Sequence, residues 1–153
     1  SRTIENDINI IKIVGVDKLS GCKYSVMPDR LEAGTYAIAA FMTKGVIEIQ
    51  NADLSVMTCI VDKFKETGGK ITPTETGFIA DGSNSSLKAV DINVEQYPGF
   101  PTDMQSQFMT MMTIASGVSS LKENLFENRG SRFKARAKNT RRRTCCTSRT
   151  VFC

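Results

Sequence analysis

Apolar runs with strand character, IIKIVGV at 10–16, YSVM at 24–27, GVIEIQ at 45–50 and AVDINV at 89–94, are separated by longer stretches whose apolar positions recur at helical spacing. That alternation predicts an α/β (α+β) fold. The first helix opens at Pro28-Asp29, where Asp29 can cap it and Glu32 can reach back as the other half of a capping box, and it ends before Gly45. A second begins near Asp53, places Met57, Ile60, Val61 and Phe64 on one face, and stops at Gly68-Gly69. A third starts at Pro101-Thr102, with Thr102 and Gln105 as another capping box and Met104, Phe108, Met111, Met112 and Ala115 on its buried face. Between the second and third, KITPTETGFIA at 70–80 reads as a hairpin.

The order repeats. Pro28-Asp29 opens a helix that reaches Gly45 and a strand, and Pro101-Thr102 opens one that reaches Gly117 and a strand. The chain reads as one strand-helix-strand-helix-strand-strand unit followed by half of a second. Such a unit has one apolar sheet face and expects neighbouring copies to complete its core.

Composition adds a division. Apolar residues make up 41% of the 153 and charged residues 24%, which is ordinary for one globular domain. The net charge of +4 conceals two segments: residues 130–153 hold eight Lys and Arg and no acid, leaving twelve basic against sixteen acidic residues in 1–129. The expected division is therefore a folded body over 1–129 and a basic tail over 130–153, disordered and able to bind nucleic acid only non-specifically. No apolar run approaches the ~20 residues that span a bilayer and the N-terminus lacks signal-peptide order, so a cytoplasmic, membrane-free protein is expected.

Five scattered cysteines show no zinc spacing, and histidine is absent. Acid and base chemistry must fall to carboxylates, Lys, Tyr or Cys. One carboxylate stands out. Tyr-Pro-Gly-Phe-Pro-Thr-Asp-Met-Gln at 97–105 is a turn followed by a helix start, and it brings Asp103 to the helix mouth. Taken alone, Asp103 reads first as a first-turn charge that favours the helix dipole, and it is the nine-residue context that reverses this reading.

Together with PDRLEAGTY at 28–36 and LFENR at 125–129, that stretch resembles the bacterial UDP-N-acetylglucosamine enolpyruvyl transferases over about residues 8–129. The resemblance implies an inside-out α/β barrel with three such units in each of two domains, of which this chain supplies about one and a half units. It implies transfer of the enolpyruvyl group of phosphoenolpyruvate to the 3-hydroxyl of UDP-N-acetylglucosamine, the first committed step of peptidoglycan precursor synthesis, with no cofactor and no metal. Asp103 matches the aspartate that lies against that hydroxyl and serves as base. Leu125 matches a position whose backbone holds the nucleotide sugar, and Arg129 a cleft arginine that meets phosphoenolpyruvate; otherwise Arg129 is a solvated charge. Arg30 and Thr102 are further candidates, although Arg30 has a structural reading as the partner of a nearby carboxylate. The family's proton-donating cysteine and further phosphate-binding groups lie in sequence absent here, which neither Cys22 nor Cys59 replaces. The remainder of the two-domain enzyme is thus an expected partner, and no turnover is expected from the chain alone.

Overall fold

The apolar runs near the N-terminus become strand only in part. The computed structural model describes residues 2–5, 8–126, 145–146 and 150–152, with side chains described over 10–126. β1 (Arg2–Glu5) and β2 (Ile8–Ile11) pair as an antiparallel hairpin, but residues 12–29 hold no strand, so YSVM and most of IIKIVGV depart from expectation. Ile13 and Val26 are each 85% exposed. Strand propensity reports a side-chain pattern, whereas a strand also needs a neighbour for its backbone groups, and no described strand pairs with this segment. Of the expected leading strand of the first repeat unit, only Ile10 and Ile11 are strand among the described residues.

From Asp29 onward the local signals hold. Asp29 has extended backbone and its Oδ1 accepts the Leu31 N–H at 2.8 Å, starting α1 (Arg30–Thr43). Glu32 is exposed and returns no capping bond among the described residues, so the cap is one-sided. The helix ends at Lys44, whose φ of 56° is left-handed, and β3 (Val46–Gln50) follows. Asp53 caps a short 3-10 turn, Leu54–Val56, rather than the second helix itself. α2 (Thr58–Glu66) then buries Ile60, Val61 and Phe64 together with the preceding Met57.

β4 (Lys70–Pro73) and β5 (Gly77–Asp81) form the expected hairpin, and β5 also pairs antiparallel with β3, giving the order β3-β5-β4. Gly77 is required where these backbones meet: a Cβ there would lie 2.0 Å from the Ile49 carbonyl oxygen.

The second half-unit is β6 (Ile92–Val94), α3 (Gln105–Met112) and β7 (Ser120–Glu123), with β6 and β7 parallel as a strand-helix-strand crossover requires. Asp91 fastens the start of β7, its Oδ1 accepting both the N–H and the hydroxyl of Ser120 at 2.8 Å. β8 (Cys145–Cys146) and β9 (Thr150–Phe152) extend this sheet to the order β6-β7-β9-β8. The tail was expected to lack structure. These five residues instead take strand positions, because the free edge of β7 offers Thr150-Val151-Phe152 the backbone partners that residues 12–29 do not find. The remainder of 130–153 lies outside the described residues.

The core joins the three helices through aromatic rings. Phe41 of α1 meets Phe64 of α2 edge-on at 5.2 Å, Phe64 stacks on Phe108 of α3 at 6.4 Å, and Phe108 receives Phe100 edge-on at 5.4 Å. Each is fully buried, a contribution of about 1.5–3 kcal/mol per ring, with about 0.5–1.5 kcal/mol more for each favourable ring pair. Phe78, Ile92, Val94 and Leu121 close the core from the strands. α1 runs close to the start of the third helix because Gly34 has no side chain there; a Cβ would sit 2.6 Å from the Met104 methyl carbon. Gln107 Nε2 adds a 3.2 Å bond to the Thr35 hydroxyl across the same contact.

Candidate functional site

The loop that carries Asp103 is closed before it reaches the helix. Gly99 N–H donates to the Gln96 carbonyl at 2.7 Å and Glu95 N–H to the Phe100 carbonyl at 3.1 Å, and Phe100 inserts its ring into the core. Pro101 continues the chain in extended conformation into a 3-10 turn, Thr102–Met104, and α3 follows. Buried Phe100 and Met104 flank this turn, so Asp103 is held in place while its side chain stays exposed.

Thr102 and Gln105 do not form the expected capping box, and no side chain caps the start of either the 3-10 turn or α3. Both turn instead to a buried carboxylate. Thr102 Oγ1 donates to Glu123 Oε2 at 2.9 Å, Gln105 Nε2 donates to the same oxygen, and Gln105 Nε2 also lies 3.0 Å from Thr102 Oγ1. The other oxygen, Glu123 Oε1, accepts the N–H of Leu125 at 2.7 Å and that of Phe126 at 3.3 Å. Glu123 is 2% exposed and Gln105 1%. Burial is the largest single influence on the Glu123 carboxyl and opposes its charge; the Leu125 N–H, the Thr102 hydroxyl, the Gln105 amide and the Phe126 N–H together outweigh it and hold the group below the usual range. Gln105 Oε1 is buried without a hydrogen-bond partner among the described residues.

Thr102, Asp103 and Leu125 are therefore brought near one another through Glu123, which lies 21 positions after Thr102. Half-buried Leu125 spends its N–H on Glu123. Arg30 is committed elsewhere: Nη1 donates to the Val56 carbonyl at 3.3 Å and the guanidinium lies 4.7 Å from the Tyr97 ring centroid, a cation–π contact. Its described partners are thus a carbonyl and an aromatic face, in place of the carboxylate expected. An apolar pocket beside it is lined by Met27, Pro28, Asp29, Arg30, Ala52, Asp53, Val56 and Met57, and does not include Asp103 or Leu125. Arg129 lies outside the described residues. Among those described, no three His, Cys, Asp or Glu side chains gather as a metal site, and no helix is long and apolar enough to cross a membrane.

Glu123 escaped the motif reading although its signal is present. In Ser120-Leu121-Lys122-Glu123 the strand period of two puts Glu123 on the inward face with Leu121, while Lys122 points out. An inward acid at a strand end is a buried polar group, the kind of position that carries information.

The sequence model of EPSP synthase (3-phosphoshikimate 1-carboxyvinyltransferase) matches residues 3–135. The chain is 41% identical over 126 residues to a UDP-N-acetylglucosamine 1-carboxyvinyltransferase of Wolbachia sp. subsp. Drosophila simulans, covering 82% of this chain and 30% of that protein. It is 46% identical over 121 residues to the protein of the same name from Lawsonia intracellularis, covering 79% of this chain and 29% of that one. The chain thus spans less than a third of the length of these relatives. Among solved structures, the enolpyruvyl transferase NikO from Streptomyces tendae superposes with a TM-score of 0.70 at 19% identity, over 83% of this chain and 30% of NikO, a likeness of fold. With the expected fold found and the family match running through both the Asp103 turn and the Leu125 segment, the chain belongs to the enolpyruvyl transferase family that the EPSP synthase model describes.

Proposed function

We propose that this chain forms the sugar-nucleotide wall of a UDP-N-acetylglucosamine 1-carboxyvinyltransferase site, with Asp103 as the group that receives the substrate hydroxyl. The observation that carries the reading is the joining of the exposed Asp103 turn to the Leu125 backbone within a chain 41% identical to proteins of that name. Asp103 orients the 3-hydroxyl of UDP-N-acetylglucosamine and takes its proton as the oxygen bonds to C2 of phosphoenolpyruvate while C3 gains a proton. The tetrahedral adduct then loses phosphate from C2 and a proton from C3, which restores the double bond in the enolpyruvyl ether. The Leu125 carbonyl accepts a donor from the sugar nucleotide, and Arg129 meets the phosphate or carboxylate of phosphoenolpyruvate.

Neither Cys22 nor Cys59 is assigned the proton for C3. Cys22 is exposed beyond the packed body, and Cys59 lies within α2 with its thiol pushed up by burial. The chain alone is therefore a binding half-site, and turnover requires the remainder of a two-domain enzyme with its proton donor and phosphate-binding groups. Isothermal titration calorimetry of the chain with UDP-N-acetylglucosamine and, separately, with shikimate 3-phosphate tests the assignment. Saturable heat with the sugar nucleotide alone supports it; preference for shikimate 3-phosphate would move the chain to the other substrate branch.

A further inference from the structure

Asp103 and Leu125 belong to different segments, and one side chain, that of Glu123, bonds to both of them: to Thr102 beside Asp103 and to the N–H of Leu125. We propose that Glu123 is a positioning residue for this site: its two carboxylate oxygens set the spacing between the turn that presents Asp103 and the Leu125 backbone. The proposal rests on the sugar-nucleotide reading above for the identity of the ligand, but the link itself does not.

The division of bonds carries the argument. Oε2 takes the Thr102 hydroxyl and the Gln105 amide, the residues on either side of Asp103-Met104, while Oε1 takes the N–H groups of Leu125 and Phe126. Three of the four donors come from the Thr102 turn and the Leu125 segment, and the fourth is Gln105, the buried first residue of α3 directly after that turn. Filling space does not require an acid here. Leu121 occupies the equivalent inward position two residues earlier on β7, and an apolar residue at 123 would avoid the cost of burying a carboxylate. Glu123 also stands opposite Val94 in the parallel β6–β7 pair, so the junction is anchored to a strand rather than a loop. An isosteric amide would set an NH2 against the donors on one side and leave only a neutral, weaker acceptor for those on the other, so both arms change.

The test uses the complete chain, labelled with 15N, as Glu123→Gln, Thr102→Ser and Thr102→Val. Without ligand, Glu123→Gln is expected to keep the core amides of Phe64 and Phe108 in place while shifting those of both Thr102–Asp103 and Leu125–Phe126. With UDP-N-acetylglucosamine, it is expected to weaken binding by about tenfold or more, the scale of one charge-assisted hydrogen bond. Thr102→Ser, which keeps the hydroxyl, should stay within about threefold of the parent, whereas Thr102→Val should approach the Glu123→Gln loss. A folded Glu123→Gln that shifts one segment only, or that binds with parental affinity, overturns the proposal. Should Glu123→Gln fail to fold, the contrast between Thr102→Ser and Thr102→Val decides, and equal behaviour of the two overturns it. A parent chain that binds no UDP-N-acetylglucosamine sinks the functional reading instead; whether one substitution then moves both segments still decides the link.

Discussion

The ring of Phe100 meets the ring of Phe108 edge-on, centroids 5.4 Å apart and planes at 80°. The residues before and after the Asp103 turn are thereby locked to each other inside the core, and the position of an exposed carboxylate becomes a consequence of packing. Phe108→Ala should remove about 3–5 kcal/mol, the usual cost of emptying a buried aromatic site. Against a total stability of about 5–15 kcal/mol for a domain, that is enough to populate the unfolded chain. Urea denaturation followed by circular dichroism measures the loss; a change below about 1 kcal/mol would show that the ring is not part of the core that orders the turn.

Gly77 gives a backbone prediction. A Cβ at this position would meet the Ile49 carbonyl oxygen at 2.0 Å, and the obstacle is main chain, so β3 and β5 must part to admit it. Gly77→Ala should cost about 2 kcal/mol or more and speed hydrogen exchange across the β3–β5 pair. Gly15→Ala, with open space around the added carbon, serves as the control and should leave both unchanged.

Acid should weaken the fold through Glu123 and Asp91. Both carboxyls are held below their ordinary values: Glu123 by four hydrogen bonds that outweigh its burial, and Asp91 first by the Ser120 N–H and then by the Ser120 hydroxyl. With folded values below unfolded ones, the unfolded chain binds more protons in the window between them, so stability rises with pH there. The contribution is complete above the unfolded values, roughly pH 4 to 4.5, and is lost as pH falls through the folded ones. Urea midpoints measured from pH 6 downward should fall in this window. Glu123→Gln should flatten the dependence, and an unchanged slope in that variant would assign the acid sensitivity to other groups.

The apolar segment ahead of α1 should promote association. Ile13 and Val26 are both 85% exposed, and neighbouring Val14, Leu19 and Tyr24 are exposed as well. Such a stretch is a contact surface seeking cover. Ile13→Lys with Val26→Lys should reduce concentration-dependent sedimentation while moving the unfolding free energy by less than about 0.5 kcal/mol, as expected for exposed positions. A large loss of stability would mean that these side chains are buried in solution.

Much of this architecture can be read from residue pattern, and the exceptions share a cause. Asp29, Gly45 and the Met57-Ile60-Val61-Phe64 stripe are local signals with local consequences, and each appears where the pattern puts it. The same holds for the 70–80 hairpin. YSVM and Thr102–Gln105 mislead because their fate depends on distant partners: the first finds no neighbouring strand, and the second trades its backbone cap for Glu123. The motif around Asp103 was legible as a sequence. That its turn is tied to Leu125 through a carboxylate on β7 was not, because Glu123 lies 21 positions after Thr102 and the link depends on the parallel pairing of β6 with β7.

Two-dimensional amide NMR of the labelled chain with and without UDP-N-acetylglucosamine, repeated on Asp103→Ala, tests whether the Asp103 turn and the Leu125 backbone form one sugar-nucleotide half-site. A single half-site predicts a dispersed spectrum in which the ligand shifts the amides of residues 102–105 and 123–126 together, with those shifts reduced in the variant while the core signals stay in place. A dispersed spectrum that ignores the ligand, or one that responds identically in Asp103→Ala, would contradict it.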